Sequence, residues 1–183
     1  LDNFNEIELH HLNSLDRIFV CSEWARQVII DRVNISPDKV NVIPLGVDSN
    51  IFKKKEVDIQ DSNDTIFFNC GKWEVRKGHD IISEAFCKAF TEKDNVQLWM
   101  MCQNPFNSPS EESRWKDRYK SCPLSSKIRL LDRVETQDEV YNIMSSTTCG
   151  VFPARAEGWN LELLEMMACN KPVIATDYSA HTE

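Results

Sequence analysis

Thr65-Ile66-Phe67-Phe68-Asn69-Cys70-Gly71-Lys72-Trp73-Glu74-Val75-Arg76-Lys77-Gly78-His79-Asp80-Ile81-Ile82-Ser83-Glu84-Ala85-Phe86 is the stretch that decides the fold class. Four of its first six residues are β-branched or aromatic and none is proline, so Thr65–Cys70 reads as a buried strand. A polar, glycine-bounded loop follows. From His79 to about Thr91, Ile81, Ile82, Ala85, Phe86 and Ala89 recur at helical spacing and read as an amphipathic helix. Strand, loop and helix in that order make the first half of a β-α-β unit.

The same alternation continues on both sides. Arg17–Cys21 reads as a strand, and Ser22 caps a helix through about Val33 with Trp24, Val28 and Ile29 on one face. Val40–Pro44 is a second short strand. Downstream come strands over Val96–Cys102, Lys127–Leu131, Thr148–Phe152 and Pro172–Thr176. Helices over Glu111–Lys120, Asp138–Ser145 and Asn160–Cys169 separate them, with Trp115 and Tyr119 facing inward as an i,i+4 pair. Short links between alternating strands and helices imply an α/β fold: a Rossmann-like parallel sheet with helices on both faces. Ligands of such sheets bind beyond the carboxyl ends of the strands. The loops of interest are therefore Gly71–Gly78, Gln103–Pro109, Asp132–Gln137, Ala154–Asn160 and Asp177–Glu183. Ile51–Asn63, polar and strand-poor, reads as a linker or exposed loop.

Composition narrows the function classes. The 183 residues are 42% hydrophobic and 27% charged, ordinary for a folded domain. With 21 Lys and Arg against 29 Asp and Glu, the net charge is −8, which disfavours general nucleic-acid binding. No apolar run approaches the roughly 18 residues of a transmembrane segment. The seven cysteines form no Cys-x-x-Cys pair. Cys70, Cys102 and Cys149 lie inside apolar strands, so a reduced, cytoplasmic protein is expected. Leu1 opens in helix-like sequence without an initiator Met, and Glu183 closes just after a turn; the chain reads as a fragment of something longer.

Two stretches could carry chemistry. Lys72, Arg76 and Lys77 place three cations in six positions beside a helix N-terminus, whose amides favour anions such as a pyrophosphate. The loop matches neither a Walker loop nor a Gly-x-Gly-x-x-Gly fingerprint. A solvated basic loop is the plain alternative. The second stretch is Glu157-Gly158-Trp159-Asn160-Leu161-Glu162-Leu163-Leu164-Glu165. In continuous helix, Glu157 and Glu165 would lie roughly 12 Å apart along the axis and on one side. Carboxylates accept from sugar hydroxyls, and N–H groups at Trp159, Asn160 and Leu161 could meet a phosphate. An ordinary helix with acidic first-turn residues is the alternative, and Glu162 fits it.

Taken together, these residues resemble the retaining glycosyltransferases of the two-lobed GT-B fold, in their large fourth sequence family, the glycosyl transferases group 1. Phe19-Val20-Cys21-Ser22 resembles the strand-to-helix serine turn that ends the acceptor lobe. Val42-Ile43-Pro44-Leu45-Gly46-Val47-Asp48 with Phe52 resembles the interlobe segment. Gly71-Lys72 through Lys77-Gly78 resembles the family's basic loop. Glu157 to Glu165 resembles its E-x7-E motif, and Ala168-Cys169-Asn170-Lys171-Pro172-Val173-Ile174-Ala175-Thr176 resembles the segment that follows. The resemblance implies residues 1–45 as the tail of an acceptor lobe, 46–64 as an interlobe segment, and 65–183 as a C-terminally truncated nucleotide-sugar-binding domain.

It also implies roles. Lys72 and Lys77 hold the donor diphosphate. Glu157 bonds the hexose hydroxyls, helped by the amides of Gly158, Trp159, Asn160 and Leu161, and Glu165 bonds the ribose. Transfer is retaining and needs neither metal nor cofactor. Lys72 stands where the family usually has Arg, so Arg76 is expected to share the phosphate. Asn160 replaces a common Gly, and Ser179-Ala180 a Gly-Gly pair. The acceptor is a sugar, lipid or protein that the chain does not identify, and peripheral membrane contact is left open. With most of the acceptor lobe absent, the chain is expected to bind a nucleotide sugar weakly and transfer little. An epimerase or phosphorylase of the same fold, and a non-catalytic nucleotide-sugar-binding module, are the alternatives.

Other residues read plainly. His10 and His11 belong to a polar surface helix, and His79 is a first-turn residue. Trp99, Met100 and Met101 pack a strand, Lys53–Lys55 is solvated, and Arg155 pairs with a nearby carboxylate.

Overall fold

The computed structural model describes residues 3–55 and 63–183, which divide into two units. The larger comprises 47–155 and 162–176; the smaller comprises 3–46, 156–161 and 177–183.

The smaller unit begins with α1 (Glu6–Ser14), closed at its start by a reciprocal Asn5–Glu8 capping box. A short parallel pair, β1 (Ile18–Val20) and β2 (Val40–Val42), flanks α2 (Glu23–Val33). Ser22 is fully buried and caps α2 through the Ala25 amide, as the Ser22 turn predicts. The Glu183 carboxylate accepts from the Glu23 and Trp24 amides at 2.8 Å each. Ile18, Val33, Ile35 and Val40 form this unit's core, with Ile29 and Ile30 against it.

The larger unit is a five-stranded, all-parallel sheet. Its strands are β3 (Thr65–Gly71), β4 (Val96–Cys102), β5 (Ile128–Leu130), β6 (Cys149–Phe152) and β7 (Val173–Ala175), in the order β5-β4-β3-β6-β7. α3 (His79–Ala89), α4 (Pro109–Lys120), α5 (Gln137–Ser146) and α6 (Leu161–Ala168) make the connections. The chain winds outward from β3 to one edge, returns, and winds from β6 to the other. The topological switch point therefore lies between β3 and β6.

Period-2 alternation sends β4 side chains to two cores. Val96, Leu98, Met100 and Cys102 join Trp73, Ile82, Phe86 and Tyr119 on one face of the sheet. On the other, Met101 joins Phe68, Cys70, Met144, Phe152, Met166 and Cys169. Burial on both faces explains the unbroken apolar runs, and the α/β class with helices on both faces stands. Trp99, Met100 and Met101 pack as the sequence predicts.

Two expectations need correction. Ile51–Asn63 is not wholly a linker: Phe52 is 2% exposed and packs in the second core with Val47 and Ile51. A turn closed by the Phe52 amide on the Asp48 carbonyl, at 2.9 Å, carries it there. The rest of that reading, over 56–62, lies outside the described residues. Helix α6 starts at Leu161 rather than Asn160, because Asn160 has φ 122°, outside helical space.

No helix among the described residues is long and apolar enough to cross a membrane. All seven cysteines are unbonded, and Cys70, Cys102 and Cys149 are buried on β3, β4 and β6.

Candidate functional site

At the switch point β3 and β6 pair only through Phe67–Cys149 and Phe68–Gly150. Beyond them the strands part. The buried Asn69 side chain bridges the gap, its amide donating to the Val151 carbonyl at 2.7 Å. Gly71, at φ 132°, then turns the chain out of β3 into the basic loop.

The loop is held at several points. The Gly78 amide donates to the Val75 carbonyl at 3.0 Å. Gly78 itself has φ 76°, and a Cβ there would lie 2.2 Å from the Pro153 carbonyl oxygen. Only glycine fits so close an approach. From the loop after β6, the Arg155 amide donates to the Arg76 carbonyl at 2.7 Å, and its guanidinium clasps Asp80 at 2.8 and 2.9 Å. Arg155 thus forms the ion pair expected of it, and Asp80 is held below the usual carboxylate range by that bond.

His79 does more than start a helix. It is fully buried, and its Nδ1 accepts from the Glu74 amide at 3.2 Å, fixing the middle of the loop. The Tyr119 hydroxyl donates to its carbonyl at 2.6 Å. Burial, followed by the Lys77 charge, pushes the imidazole down to about 3, so it stays neutral and keeps its accepting nitrogen. Trp73 stands edge-on to this ring and stacks on Trp115, centroids 5.5 Å apart and planes 6° off parallel. A histidine in a first turn carries no sequence mark of such burial.

The loop forms one wall of a cleft of about 490 Å³ at the carboxyl end of the sheet. Lys72, Arg76, Lys77 and Glu165 all line it, so the structure brings together four of the residues singled out from sequence. Residues 133–136, ahead of α5, and Gln137, its first residue, form another wall, all within the Asp132–Gln137 stretch. Lys72 lies 4.8 Å over the ring of the exposed Phe106. Arg76 bonds Glu74 at 2.8 Å through its Nη2. Lys77 Nζ lies 3.1 Å from Glu162 Oε1. Burial, then the neighbouring Glu162 charge, raises Glu165 to about 7.

Glu162 is the residue that sequence reasoning missed. Its position marks it as an ordinary first-turn acid, yet it lines the cleft with Glu165. The signal was its i,i+3 spacing from Glu165, which puts both on one helical face.

Glu157, Gly158, Trp159, Asn160 and Leu161 belong to the smaller unit. Glu157 is 8% exposed; its amide donates to Ser179 Oγ at 2.9 Å, and its carbonyl accepts from the Ala180 amide. Asn160 Nδ2 lies 2.8 Å from His181 Nε2. Residues 157–160 are not helical, so the continuous-helix spacing between Glu157 and Glu165 does not describe them. Of the three residues expected to offer helix amides, only Leu161 lies in the first turn of α6. Asn160 takes the positive φ that a glycine would adopt freely there. Ser179, at φ 61°, does the same where the resemblance expects glycine.

Residues 64–183 match the family model described as glycosyl transferases group 1. Among curated proteins, the chain is 23% identical over 185 residues to the MMP alpha-(1->4)-mannosyltransferase of Mycolicibacterium hassiacum, covering 98% of the chain and 41% of that protein. It is 21% identical over 177 residues to the phosphatidylinositol N-acetylglucosaminyltransferase GPI3 subunit of Saccharomyces cerevisiae, covering 94% and 38%. Anabaena HepE, solved in complex with UDP-glucose, superposes with a TM-score of 0.83 at 16% identity, over 98% of the chain and 51% of HepE. The chain spans about two fifths of the curated relatives it matches.

Proposed function

Because the chain belongs to the glycosyl transferases group 1, a family of the GT-B fold, we propose that it supplies the donor-binding part of a retaining, metal-independent hexosyltransferase. The donor is a nucleoside-diphosphate sugar. The acceptor is a sugar, lipid or protein, and transfer belongs to the whole protein. The free thiols of all seven cysteines support a cytoplasmic location as part of this reading.

One observation carries it: Lys72, Arg76, Lys77 and Glu165 line one cleft at the carboxyl end of a doubly wound sheet. In this reading Lys72 and Lys77, with Arg76, surround the diphosphate, and Glu165 accepts from the ribose hydroxyls. Glu157, with the amides of 158–161, serves the hexose. As the anomeric bond stretches, the leaving diphosphate gains negative charge. Fixed cations and amide dipoles favour that state over the ground state. The departing phosphate then receives the acceptor hydroxyl proton. HepE with UDP-glucose supports this donor class by analogy of fold.

Calorimetry with UDP and GDP in metal-free buffer tests the cleft. Lys77→Ala is expected to weaken whichever diphosphate binds by about 1.5–3 kcal/mol, the loss of a charge-assisted bond. Equal affinity in the variant would move the diphosphate elsewhere.

A further inference from the structure

Glu162 enters no step above, yet its carboxylate sits on the cation that the diphosphate needs. Lys77 Nζ and Glu162 Oε1 are 3.1 Å apart, and the two side chains are only 14% and 28% exposed. The pair lies against the bare backbone of Gly71. A Cβ there would stand 3.1 Å from Glu162 Oε1 and 3.3 Å from the Lys77 Cδ and Cε. Gly71 therefore leaves the room in which the ion pair forms, where the chain leaves β3. Glu162 is fixed from the other side by the first turn of α6, 85 residues away in sequence.

We infer that Glu162 is the resting counter-ion of Lys77, and that an anion entering the cleft must displace it. This deepens the functional reading and rests on it. The physical reason is charge balance. Shielded from water, Lys77 is costly to leave unpaired, and Glu162 satisfies it in the absence of ligand. A diphosphate brings further negative charge to the same amine. Glu162 and the phosphate oxygens then compete for it, in surroundings that screen charge poorly. Part of the attraction between Lys77 and the ligand is spent on breaking the resting pair, so Glu162 lowers affinity and eases release of the nucleoside diphosphate product. A pair that only tied α6 to the basic loop would leave anion affinity untouched.

The experiment measures UDP, inorganic pyrophosphate and uridine binding to the full 183-residue chain by calorimetry. The proteins are wild type, Glu162→Gln, Glu162→Ala, Lys77→Met and the double variant Lys77→Met/Glu162→Gln, each checked for folding by circular dichroism. Glu162→Gln, which keeps size and loses charge, is expected to tighten UDP and pyrophosphate about ten-fold and to leave uridine unchanged. In the Lys77→Met background the same substitution is expected to gain under three-fold. Glu162→Ala is the second charge-removing variant, in case Gln retains a bond to Lys77. If Lys77→Met weakens UDP while both Glu162 variants leave it unchanged or weaker, the inference is overturned and the functional reading survives. If neither wild type nor Glu162→Gln binds UDP or pyrophosphate, both fall.

Discussion

His79 and Glu165 are shifted in opposite directions, and each shift sets a pH window. His79 is neutral when folded, down to about 3 against 6.5 for a free imidazole. The unfolded chain takes up a proton below 6.5 that the folded chain refuses. Its contribution to stability is therefore complete above pH 6.5 and is lost as pH falls from there toward 3. His79→Asn, whose side-chain oxygen can still accept from the Glu74 amide, is expected to flatten that loss in denaturant titrations between pH 7.5 and 5. Parallel curves for the two proteins would rule it out. Glu165 behaves in reverse: burial, then the Glu162 charge, raises its carboxyl to about 7 when folded, against 4.5 for a free glutamate. The folded chain holds this proton longer, so stability is complete below 4.5 and declines as pH rises to about 7. Glu165→Gln is expected to remove that decline, seen as a stability gain at pH 8 that vanishes at pH 4.

Reading single residues from sequence succeeded where their role was local. Ser22 caps the helix it precedes, and Arg155 found a carboxylate. It failed for Phe52 and Glu162. An aromatic in a polar run gives no periodicity to read, and an acid in a first turn is already explained by the helix dipole. The partner that gives Glu162 its meaning lies 85 residues upstream.

At the scale of elements, the site depends on two loops approaching without side chains between them. Gly78 meets the Pro153 carbonyl where a Cβ would come within 2.2 Å. Gly78→Ala adds that clash to the cost of a positive φ, and is expected to destabilise the chain by about 2–4 kcal/mol in urea titration. A loss below 1 kcal/mol would show that the loops can part freely. Strand, loop and helix over 65–89 were legible because period and glycine punctuation agree there. The start of α6 was not, because Asn160 breaks the helix through its own φ rather than through the apolar pattern.

For the whole molecule, alternation of elements was enough to read a doubly wound sheet, since parallel neighbours require crossover helices. The two units were less legible. Residues 156–161 and 177–183 group with the N-terminal segment rather than with the sheet that precedes each of them, which no local pattern announces. Glu157 lies in that smaller unit. In the functional reading, the isolated chain binds donor but turns over little. Glu157→Gln in the full-length protein is expected to lower transfer by roughly 10²–10³-fold, as removal of a group that stabilises a transition state does. Radiolabelled transfer from a panel of sugar nucleotides measures it, and undiminished transfer would take Glu157 out of the chemistry.

Trp73 follows Lys72 directly in the basic loop, and its indole stacks on that of Trp115 in α4, the ring centroids 5.5 Å apart. Two chromophores so close and so nearly parallel couple their excited states. The larger unit thus contains an optical reporter at the edge of its own cleft, and occupancy that shifts the Lys72 backbone by a fraction of an ångström should register in its emission and dichroic spectrum without any attached dye.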